Sequence, residues 1–450
     1  MKILRSAEVW LSGQRVGLLQ RSQHGLTRFV PDPSWEHGGQ RPRLGLSFLR
    51  SPGPKQSGTG LPAWFENLLP DVGSALRGRL AAAHGVRPTD SLGLLSALGS
   101  DLPGAVEFRP LDPAPNAPVH RAHREGPLFE RVGMSAPDSQ DGEGSPAAAD
   151  AEALSAVSTL RFSLAGMQLK LSMSARNDRF ALTSRSDDRY WIVKLAGSEF
   201  PGLPEVEAAT MAWARAAGHD VPKNFAFPVE QIDGLPEGFA TTSPTAFAIE
   251  RFDRRIGGIR LHHEDFCQAL DLLPDHKYGD SGSEHFSLDS ALRLVADAAG
   301  EAQAQCFAQR VGFVIASGNG DAHLKNWSFA WGSADRPVLS PCYDLVSTVT
   351  WPEYYGWKRR GGPELGLGLG RVRRFIQLDD AALRRHADKS GQPWARDAVM
   401  EGIQKARLAW PAVEALAPPT MRRAIRTHFR KVPVLIAAGP LPWTPPPAAG

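Results

Sequence analysis

The stretch from Met134 to Ala153 divides this chain of 450 residues into an N-terminal module and a larger remainder. It consists almost entirely of small, polar and acidic residues, contains no Lys or Arg, and offers almost nothing large enough to pack. Such a segment cannot offset its ordering entropy by burying apolar surface. We therefore predict a flexible linker over residues 111–155 and a separate N-terminal module over residues 1–110.

The N-terminal module is expected to combine strands and helices. Two apolar runs between Val9 and Leu19 flank a Ser-Gly-Gln turn, which is typical of a β-hairpin. Another strand is expected over Leu44–Leu49. From Pro62 to about Leu98, apolar residues recur close to helical spacing, so this region is predicted to be helical.

Beyond the linker, a part with alternating strands and helices precedes a mainly helical part. The predicted strands are Phe180–Leu182, Tyr190–Leu195 and Ala246–Phe252, and a predicted helix covers Glu205–Ala217. The later predicted helices are Glu264–Leu273, Leu288–Ala299, Glu301–Ser317 and several within 379–431. This order predicts an α+β, bilobal enzyme with a nucleotide-binding part over 156–255 and a helical lobe over 256–440. Its site is expected where the two parts meet.

Charge and cysteine content narrow the class of protein. A net charge of +3 is small for this length and argues against a chain coated in positive charge for nucleic acid. Three cysteines without C-x-x-C spacing indicate neither a disulfide framework nor a zinc site, as expected in a reducing cytoplasm. We find no signal-peptide core and no apolar run of membrane-spanning length, so we expect a soluble cytoplasmic protein.

The most informative motif is the polar loop Gly320–Asn326, which lies between apolar segments. Phosphoryl transfer requires a carboxylate beside the attacking hydroxyl and a carboxamide oxygen on a metal ion. Protein kinases supply these as an Asp followed five residues later by an Asn, the spacing of Asp321 and Asn326. Asp321 is therefore the candidate catalytic base, and Lys325 could neutralise the phosphoryl group in transfer.

A second metal-binding carboxylate is expected after a strand downstream of this loop. Asp344 follows the apolar run that begins at Val338, at a distance from Asp321 that suits a short hairpin between them. Mg²⁺ keeps several waters and needs few protein oxygens. Asn326 and Asp344 are therefore sufficient as predicted metal ligands.

Upstream signals complete the predicted nucleotide site. Lys194 ends an apolar strand and resembles the kinase lysine that pairs with nucleotide phosphates, with Glu205 or Glu207 available to orient it. The small-residue turn Ser163–Lys170 is placed where a phosphate-covering loop should lie, although it matches no standard phosphate-loop motif. At Glu250–Phe252 an apolar strand meets a charged turn, where backbone groups could bind adenine.

Each signal taken alone has a structural explanation. Lys194 could be a solvated lysine at the end of a strand, and Asp344 could cap a helix. His323 could fill a polar pocket, and Ser163 could be an ordinary turn serine. The Asp321–Asn326 pair is harder to explain structurally, and all the signals occur in the order that kinase chemistry needs. The kinase interpretation is therefore favoured.

At this point the chain resembles the HipA family over nearly its whole length. The N-terminal matches are Gln14–Leu19, Phe65–Asp71 and Asp101–Val106. The later matches are Ser163–Lys170, Ile192–Leu195, Ile249–Asp253, Glu264–Gln268, Lys277–Tyr278, Asp321–Ser328 and Tyr343–Asp344. The combination of Asp-x-His-x-Lys-Asn with Glu-Asp-x-Cys-Gln is highly specific.

The resemblance implies a two-lobed serine/threonine kinase that uses ATP and Mg²⁺, with an extra N-terminal subdomain and an all-helical C-terminal lobe. It implies Asp321 as general base and autophosphorylation of Ser163, which switches the kinase off. A phosphate dianion on Ser163 could not share a pocket with the phosphates of ATP. The implied ATP-binding residues are Ala165, Gly166, Met167, Gln168, Leu169, Lys170, Lys194, Glu250, Arg251, Phe252, His323, Leu324, Lys325, Asn326, Tyr343 and Asp344.

The resemblance also implies partners. Members are toxins of toxin–antitoxin systems that phosphorylate translation components such as aminoacyl-tRNA synthetases, and a HipB-like helix-turn-helix antitoxin bound to DNA holds them. Departures from ordinary protein kinases, such as Asn319-Gly320 before the catalytic Asp and Leu345-Val346 after Asp344, argue against conventional activation-loop control. The family shares these departures.

Two alternatives stay open on the sequence alone: a small-molecule kinase, and a catalytically weak kinase-fold corepressor acting with the antitoxin. The Ser163 loop and the N-terminal module argue against the first. The second is disfavoured by the intact residues Lys194, Asp321, Asn326 and Asp344. The basic runs Lys358–Arg360, Arg371–Arg374 and Met421–Lys431 are expected to be solvated faces, with tRNA or operator DNA as the alternative ligands.

Overall fold

The computed structural model is an α+β protein with two lobes. It describes residues 3–36, 43–58, 60–99, 101–111, 169–176, 179–181, 190–196, 200–235, 243–255, 257–281, 284–332, 336–353 and 361–442. The predicted linker from residue 112 onward, most of the predicted phosphate-covering loop and the basic run Lys358–Arg360 lie outside the described residues.

The first part of the chain forms a five-stranded antiparallel sheet with short helices beside it. Its strands are β1 (Ile3–Leu11), β2 (Gln14–Ser22), β3 (Thr27–Pro31), β4 (Lys55–Ser57) and β5 (Val106–Pro110). Its helices are α1 (Pro33–Glu36), α2 (Leu46–Arg50), α3 (Ala63–Glu66), α4 (Ala75–Ala83) and α5 (Ser91–Leu98). The predicted hairpin is confirmed, because β1 pairs with β2 in antiparallel register.

The strand predicted over Leu44–Leu49 is wrong, because the segment enters the short helix α2. Its alternating apolar residues suggested one buried face, but Ser47 between them is buried as well. The backbone N–H of Leu46 donates to the carboxylate of Glu264 at 2.8 Å. A free N–H at the start of a helix is thus satisfied by a distant residue, which a local pattern cannot reveal.

The next part forms a six-stranded sheet with one long helix. Its strands are β6 (Leu169–Arg176), β7 (Arg179–Ala181), β8 (Trp191–Leu195), β9 (Asn224–Pro228), β10 (Ile232–Asp233) and β11 (Thr245–Glu250), in the order β10-β7-β6-β8-β11-β9. The helix α6 covers Leu203–Ala216. The predicted strands at β7, β8 and β11 and the predicted helix at α6 are confirmed, with boundaries that differ by at most two residues.

The two sheets share one hydrophobic core. Val9 and Phe29 from the first sheet belong to the same buried cluster as Val193 and Ala248 from the second. A second, larger core lies among the later helices and also includes Leu46 of α2. The N-terminal part is therefore packed directly against the nucleotide-binding part and does not stand apart from it.

The remaining part is mainly helical. Its strands are β12 (Arg254–Arg255), β13 (Ile259–Arg260), β14 (His262–Asp265), β15 (Asp280–Ser281), β16 (Glu284–His285), β17 (Ser328–Trp331), β18 (Val338–Leu339), β19 (Glu364–Leu369) and β20 (Val372–Arg374). Its helices are α7 (Phe266–Ala269), α8 (Leu288–Ala299), α9 (Glu301–Ser317), α10 (Asp380–Ser390), α11 (Ala395–Val413), α12 (Pro419–Lys431) and α13 (Pro433–Ala438). The predicted helices at α8 and α9 and in the C-terminal region are confirmed. No helix of the described part is long and apolar enough to span a bilayer.

The single helix predicted over Glu264–Leu273 is wrong. Glu264 and Asp265 end strand β14, and only the short helix α7 follows. Asp265 caps this helix: its carboxylate accepts from the N–H of Gln268, whose side chain in turn accepts from the N–H of Asp265. This reciprocal capping box fixes a helix start where the sequence suggested a helix interior.

Helix α9 delivers the predicted catalytic loop to the junction of the lobes. A Cβ on Gly312 of α9 or on Gly402 of α11 would collide with the backbone of the other helix, so the two helices cross in close contact. Helix α9 then ends at Gly318, which has a left-handed backbone with φ of 63°. The loop after this end places Asp321 on the same cleft wall as Lys170 and Lys194 of the second sheet.

Candidate active site

One cleft of about 260 Å³ lies between the lobes and is bordered by most of the predicted site residues. Those on the cleft wall are Lys170, Lys194, Glu250, Arg251, Phe252, Asp321, His323, Lys325, Asn326, Tyr343 and Asp344. Among the other predicted residues, Leu324 is fully buried in the helical core, and Leu169 pairs with Leu195 in the sheet. Ser163, Ala165, Gly166, Met167 and Gln168 lie outside the described residues.

The loop that holds Asp321 is fixed by its own side chains. The N–H of Asp321 donates to Oδ1 of Asn319 at 3.0 Å, and the carbonyl oxygen of Asp321 accepts from Nδ2 of Asn326 at 2.8 Å. The N–H of Gly320 donates to the hydroxyl of Thr348 at 2.7 Å. The main chain on both sides of the candidate base is therefore held in one conformation.

Buried Lys194 joins the two carboxylates that kinase chemistry would place around it. Its ammonium group donates to Glu207 on helix α6 and to Asp344, and Nζ of Lys170 also donates to Asp344 at 2.9 Å. Of the two glutamates that the sequence offered, Glu207 makes the contact. The strands β6 and β8 thus each place a lysine on Asp344, and helix α6 holds Lys194 through Glu207.

The charges around Lys194 and Asp344 shift the pKa values of both groups. Burial opposes the charged form of Lys194, but the carboxylates of Asp344 and Glu207 outweigh it and raise the pKa of Lys194. Burial likewise opposes ionisation of Asp344, but Lys170 and Lys194 outweigh it and lower the pKa of Asp344. Both groups are therefore charged at neutral pH, and this is the state that the predicted phosphate-binding and metal-binding roles require.

Asp344 has an uncommon backbone conformation, with φ of 51°. Left-handed backbone is unfavourable for residues with a side chain, although Asp and Asn tolerate it better than most. Such conformations concentrate at functional sites, where the surrounding structure enforces them. In this conformation the carboxylate of Asp344 accepts from Lys170 and Lys194.

Tyr343 links the loop of Asp344 to the loop of Asn326. Its hydroxyl donates to the carbonyl oxygen of Lys325 at 3.0 Å and also contacts the hydroxyl of Ser328. Its ring stacks on Phe252, with ring centroids 5.9 Å apart. Tyr343 therefore fixes the spacing between the two predicted metal ligands and forms an aromatic wall of the cleft with Phe252.

The N-terminal part contributes residues to the cleft that local sequence patterns did not single out. Asn67 and Leu68 line it, and Nζ of Lys325 donates to Asn67. Lys277, which also lines the cleft, pairs with Asp71 at 2.5 Å. Asn67, Leu68 and Asp71 fall in the Phe65–Asp71 stretch that carries the family resemblance, which is the one sequence signal that marks them.

Arg251 lies beside the cleft but its side chain points elsewhere. The guanidinium group is buried and donates to Asp253 at 2.9 Å and to Asp101 of the N-terminal part at 3.2 Å. The backbone N–H groups of Glu250 and Arg251 donate to the carbonyl oxygens of Lys223 and Tyr190. Arg251 therefore joins the N-terminal part to the Glu250–Phe252 segment. Two backbone N–H donors of this predicted adenine-binding segment are already used by bonds within the protein.

The residues predicted to hold Mg²⁺ are chemically suitable for it. Because Nδ2 of Asn326 is used by the carbonyl oxygen of Asp321, the oxygen of the carboxamide remains for a cation. Asp344 supplies a carboxylate that is charged and partly exposed to the cleft. Oxygen ligands of this kind and number suit Mg²⁺, which keeps several waters.

Comparison with known families matches both parts of the chain. The HipA N-terminal domain matches residues 7–109, and the HipA-like C-terminal domain matches residues 162–410. A protein of Sinorhizobium fredii named "Putative kinase Y4dM" is 33% identical over 94% of this chain and 95% of its own length. The serine/threonine-protein kinase toxin HipA of Shewanella oneidensis is 28% identical over 68% of each chain.

The fold also matches a solved structure. HipA of Shewanella oneidensis MR-1, determined in complex with HipB and its operator DNA, superposes with a TM-score of 0.66. The match covers 96% of both chains at 22% sequence identity. The bilobal α+β fold and the family resemblance predicted from the motifs are thereby confirmed: this chain belongs to the HipA family.

Proposed function

We propose that this protein is an ATP-dependent serine/threonine kinase and the toxin of a toxin–antitoxin module. The observation that carries the proposal is the convergence of Lys194, Glu207 and Asp344 in the same cleft as Asp321 and Asn326. A lysine held by a helix glutamate, a metal-binding Asp–Asn pair and an Asp base are the parts that phosphoryl transfer from ATP requires.

In the proposed reaction, Asp321 accepts the proton of an acceptor hydroxyl while that oxygen attacks the terminal phosphorus of ATP. The bond from this phosphorus to the bridging oxygen breaks, and ADP leaves. Lys170 and Lys194 bind phosphate oxygens of ATP. The rings of Phe252 and Tyr343 flank its adenine ring. Asn326 and Asp344 would hold Mg²⁺, which neutralises phosphate charge when bound. Lys325 supports the transferred group or the loop beneath it.

The proposed acceptor is a protein rather than a small molecule. Asn67 and Leu68 of the N-terminal part border the cleft, and Asp71 binds Lys277 at its edge, so one wall is built from a subdomain that phosphotransfer alone does not require. We further propose an aminoacyl-tRNA synthetase as target, autophosphorylation of Ser163 as the off-switch, and a role in persistence. These finer assignments follow the family, and so does a cytoplasmic location.

A HipB-like helix-turn-helix antitoxin is the proposed partner, with contact to DNA through it. The support is that the solved Shewanella protein of the same fold was determined with HipB and operator DNA. Co-purification of this chain with a HipB-like helix-turn-helix protein from the same organism would test the pairing. A chain that stays alone in that experiment would contradict it.

The decisive experiment is incubation of the purified protein with labelled ATP and Mg²⁺, followed by mass spectrometry, with Asp321→Ala as the matched variant. Phosphate on Ser163 in the wild type and none in the variant is the expected result. No label on either protein, with Ser163 shown to be unmodified beforehand, would contradict the kinase proposal. A catalytically weak corepressor or a small-molecule kinase would then be favoured.

A further inference from the structure

Tyr278 makes a contact with the candidate base that the proposed reaction does not yet use. Its hydroxyl donates to Oδ1 of Asp321 at 2.7 Å. Within the described part of the chain, no other donor reaches the carboxylate of Asp321. Since Asn319 and Asn326 fix the main chain of Asp321, the contact with Tyr278 removes the remaining freedom of its side chain.

Tyr278 is itself held firmly by its neighbours. The carbonyl oxygen of Lys277 accepts from the N–H of Leu324 at 2.9 Å, and the carbonyl oxygen of Tyr278 accepts from Arg373 at 3.3 Å. Gly279 has φ of 91°, and a Cβ there would collide with the carbonyl group of Phe286. The turn therefore presents the tyrosine to the catalytic loop in a defined position.

The ring of Tyr278 also rests against the catalytic loop. It meets the ring of His323 edge to face, with centroids 5.2 Å apart and planes at 84°. About 37% of Tyr278 is exposed, and it lines the cleft together with Asp321. The ring contact and the hydroxyl contact are separable, because phenylalanine would keep the first and lose the second.

A general base needs one oxygen directed at the proton that it removes, and a third group commonly holds the base in that orientation. In Asp321, Oδ1 is taken by Tyr278 and Oδ2 remains for the acceptor. We propose that Tyr278 is the positioning residue of the phosphotransfer reaction: its hydroxyl holds Oδ1 so that Oδ2 faces the acceptor hydroxyl. The inference rests on the proposed kinase function.

The test compares Tyr278→Phe and Tyr278→Ala with the wild type in the full-length protein. The rate of self-phosphorylation is measured with labelled ATP and Mg²⁺ over a range of ATP concentrations. Loss of a hydrogen bond to a charged group should lower the maximal rate about tenfold or more in both variants. The ATP concentration for half-maximal rate should stay unchanged, because Tyr278 acts on the base and not on the nucleotide.

Two outcomes would overturn the proposal. In the first, Tyr278→Phe phosphorylates itself at the wild-type rate while Tyr278→Ala is slow. This would mean that the ring contact with His323 matters and the hydroxyl does not. A faster Tyr278→Phe would mean that the hydroxyl blocks the place of the acceptor.

Crystal structures of the wild type and Tyr278→Phe give a readout that needs no activity. The carboxylate of Asp321 should turn away from its present orientation in the variant, and an unchanged carboxylate would overturn the proposal. A wild type without phosphotransfer would instead contradict the kinase function. The two structures would then decide the role of Tyr278 separately.

Discussion

Nζ of Lys325, in the loop that carries the candidate base Asp321, donates to both the backbone oxygen and Oδ1 of Asn67, at 3.0 and 3.1 Å, across 258 positions of sequence. Asn67 in turn donates from Nδ2 to the carbonyl oxygen of Leu272 at 2.7 Å. The N-terminal part thus holds the catalytic loop directly. A side chain outside the kinase lobes sets the position of a residue proposed to act in phosphotransfer.

We expect Asn67→Ala to slow phosphotransfer about tenfold, because a hydrogen bond to a charged group contributes about 1.5–3 kcal/mol. The initial rate of self-phosphorylation with labelled ATP measures the effect. Asn224→Ala is the matched control, since Nδ2 of Asn224 also donates to a backbone oxygen but the residue lies outside the cleft. Equal rates in the two variants would show that Asn67 has no special role.

Glu207→Gln should weaken ATP binding and lower the free energy of unfolding by about 1–3 kcal/mol, since Lys194 loses a buried charged partner. ATP titration and urea denaturation measure the two effects. Glu205→Gln, on the same helix but with no ion pair to Lys194 in the described structure, is the control and should bind ATP as tightly as the wild type. A larger loss of ATP binding in Glu205→Gln than in Glu207→Gln would contradict the assignment of Glu207 as the partner of Lys194.

The buried carboxyl group of Glu264 should make the stability of the protein depend on pH. Burial raises the pKa of Glu264 to about 8, despite hydrogen bonds from Leu46, Trp64 and Trp331 that lower it. A carboxyl group whose pKa is higher in the folded state than in the unfolded state stabilises the fold in its protonated form. This stabilisation is fully present below the unfolded-state pKa. That contribution is lost as the pH rises through the folded-state value.

The wild type should therefore lose stability relative to Glu264→Gln as the pH rises from about 5 to 8, by on the order of 1 kcal/mol per pH unit at the steepest point. Above pH 8 the difference should level off. Denaturant unfolding at a series of pH values measures it. If the free energy of unfolding changed with pH in the same way in both proteins, the pKa of Glu264 would be the same in the folded and unfolded states, and the prediction would be wrong.

Gly366→Ala should impair catalysis more than stability. A Cβ at this position in β19 would lie 2.9 Å from the carbonyl carbon of Ala322, next to Asp321, so the catalytic loop would have to move. Small displacements of a reacting group can cost up to about 100-fold in rate. Gly368→Ala is the control in the same strand, because its Cβ would meet Val372 at an ordinary 3.5 Å. Similar rates for the two variants would contradict the prediction.

Local patterns predicted much of the architecture. The spacing of Asp321 and Asn326 and the strand before Lys194 depend on short stretches of sequence, and the structure brings all three residues to one cleft. The helices α8 and α9 were predictable because their apolar residues recur at helical spacing with a serine or glycine before them.

What the sequence missed depends on contacts between distant segments. Glu264 was predicted within a helix, yet it ends a strand and binds Trp64 and Leu46 of the N-terminal part. The choice of Glu207 over Glu205 depends on how α6 is rotated against β8. Neither the rotation nor the long-range pairing leaves a periodic signal, because each is set by packing between elements.

The contact between Asn67 and Lys325 also has a consequence for synthesis of the chain. The ribosome releases Asn67 long before Lys325, with 258 positions between them. At about 5–20 residues per second, translation separates the two by on the order of ten seconds or more. The first sheet can begin to fold in that interval, but the catalytic loop gains its support only when most of the polypeptide has emerged. A nascent or truncated chain should therefore be inert.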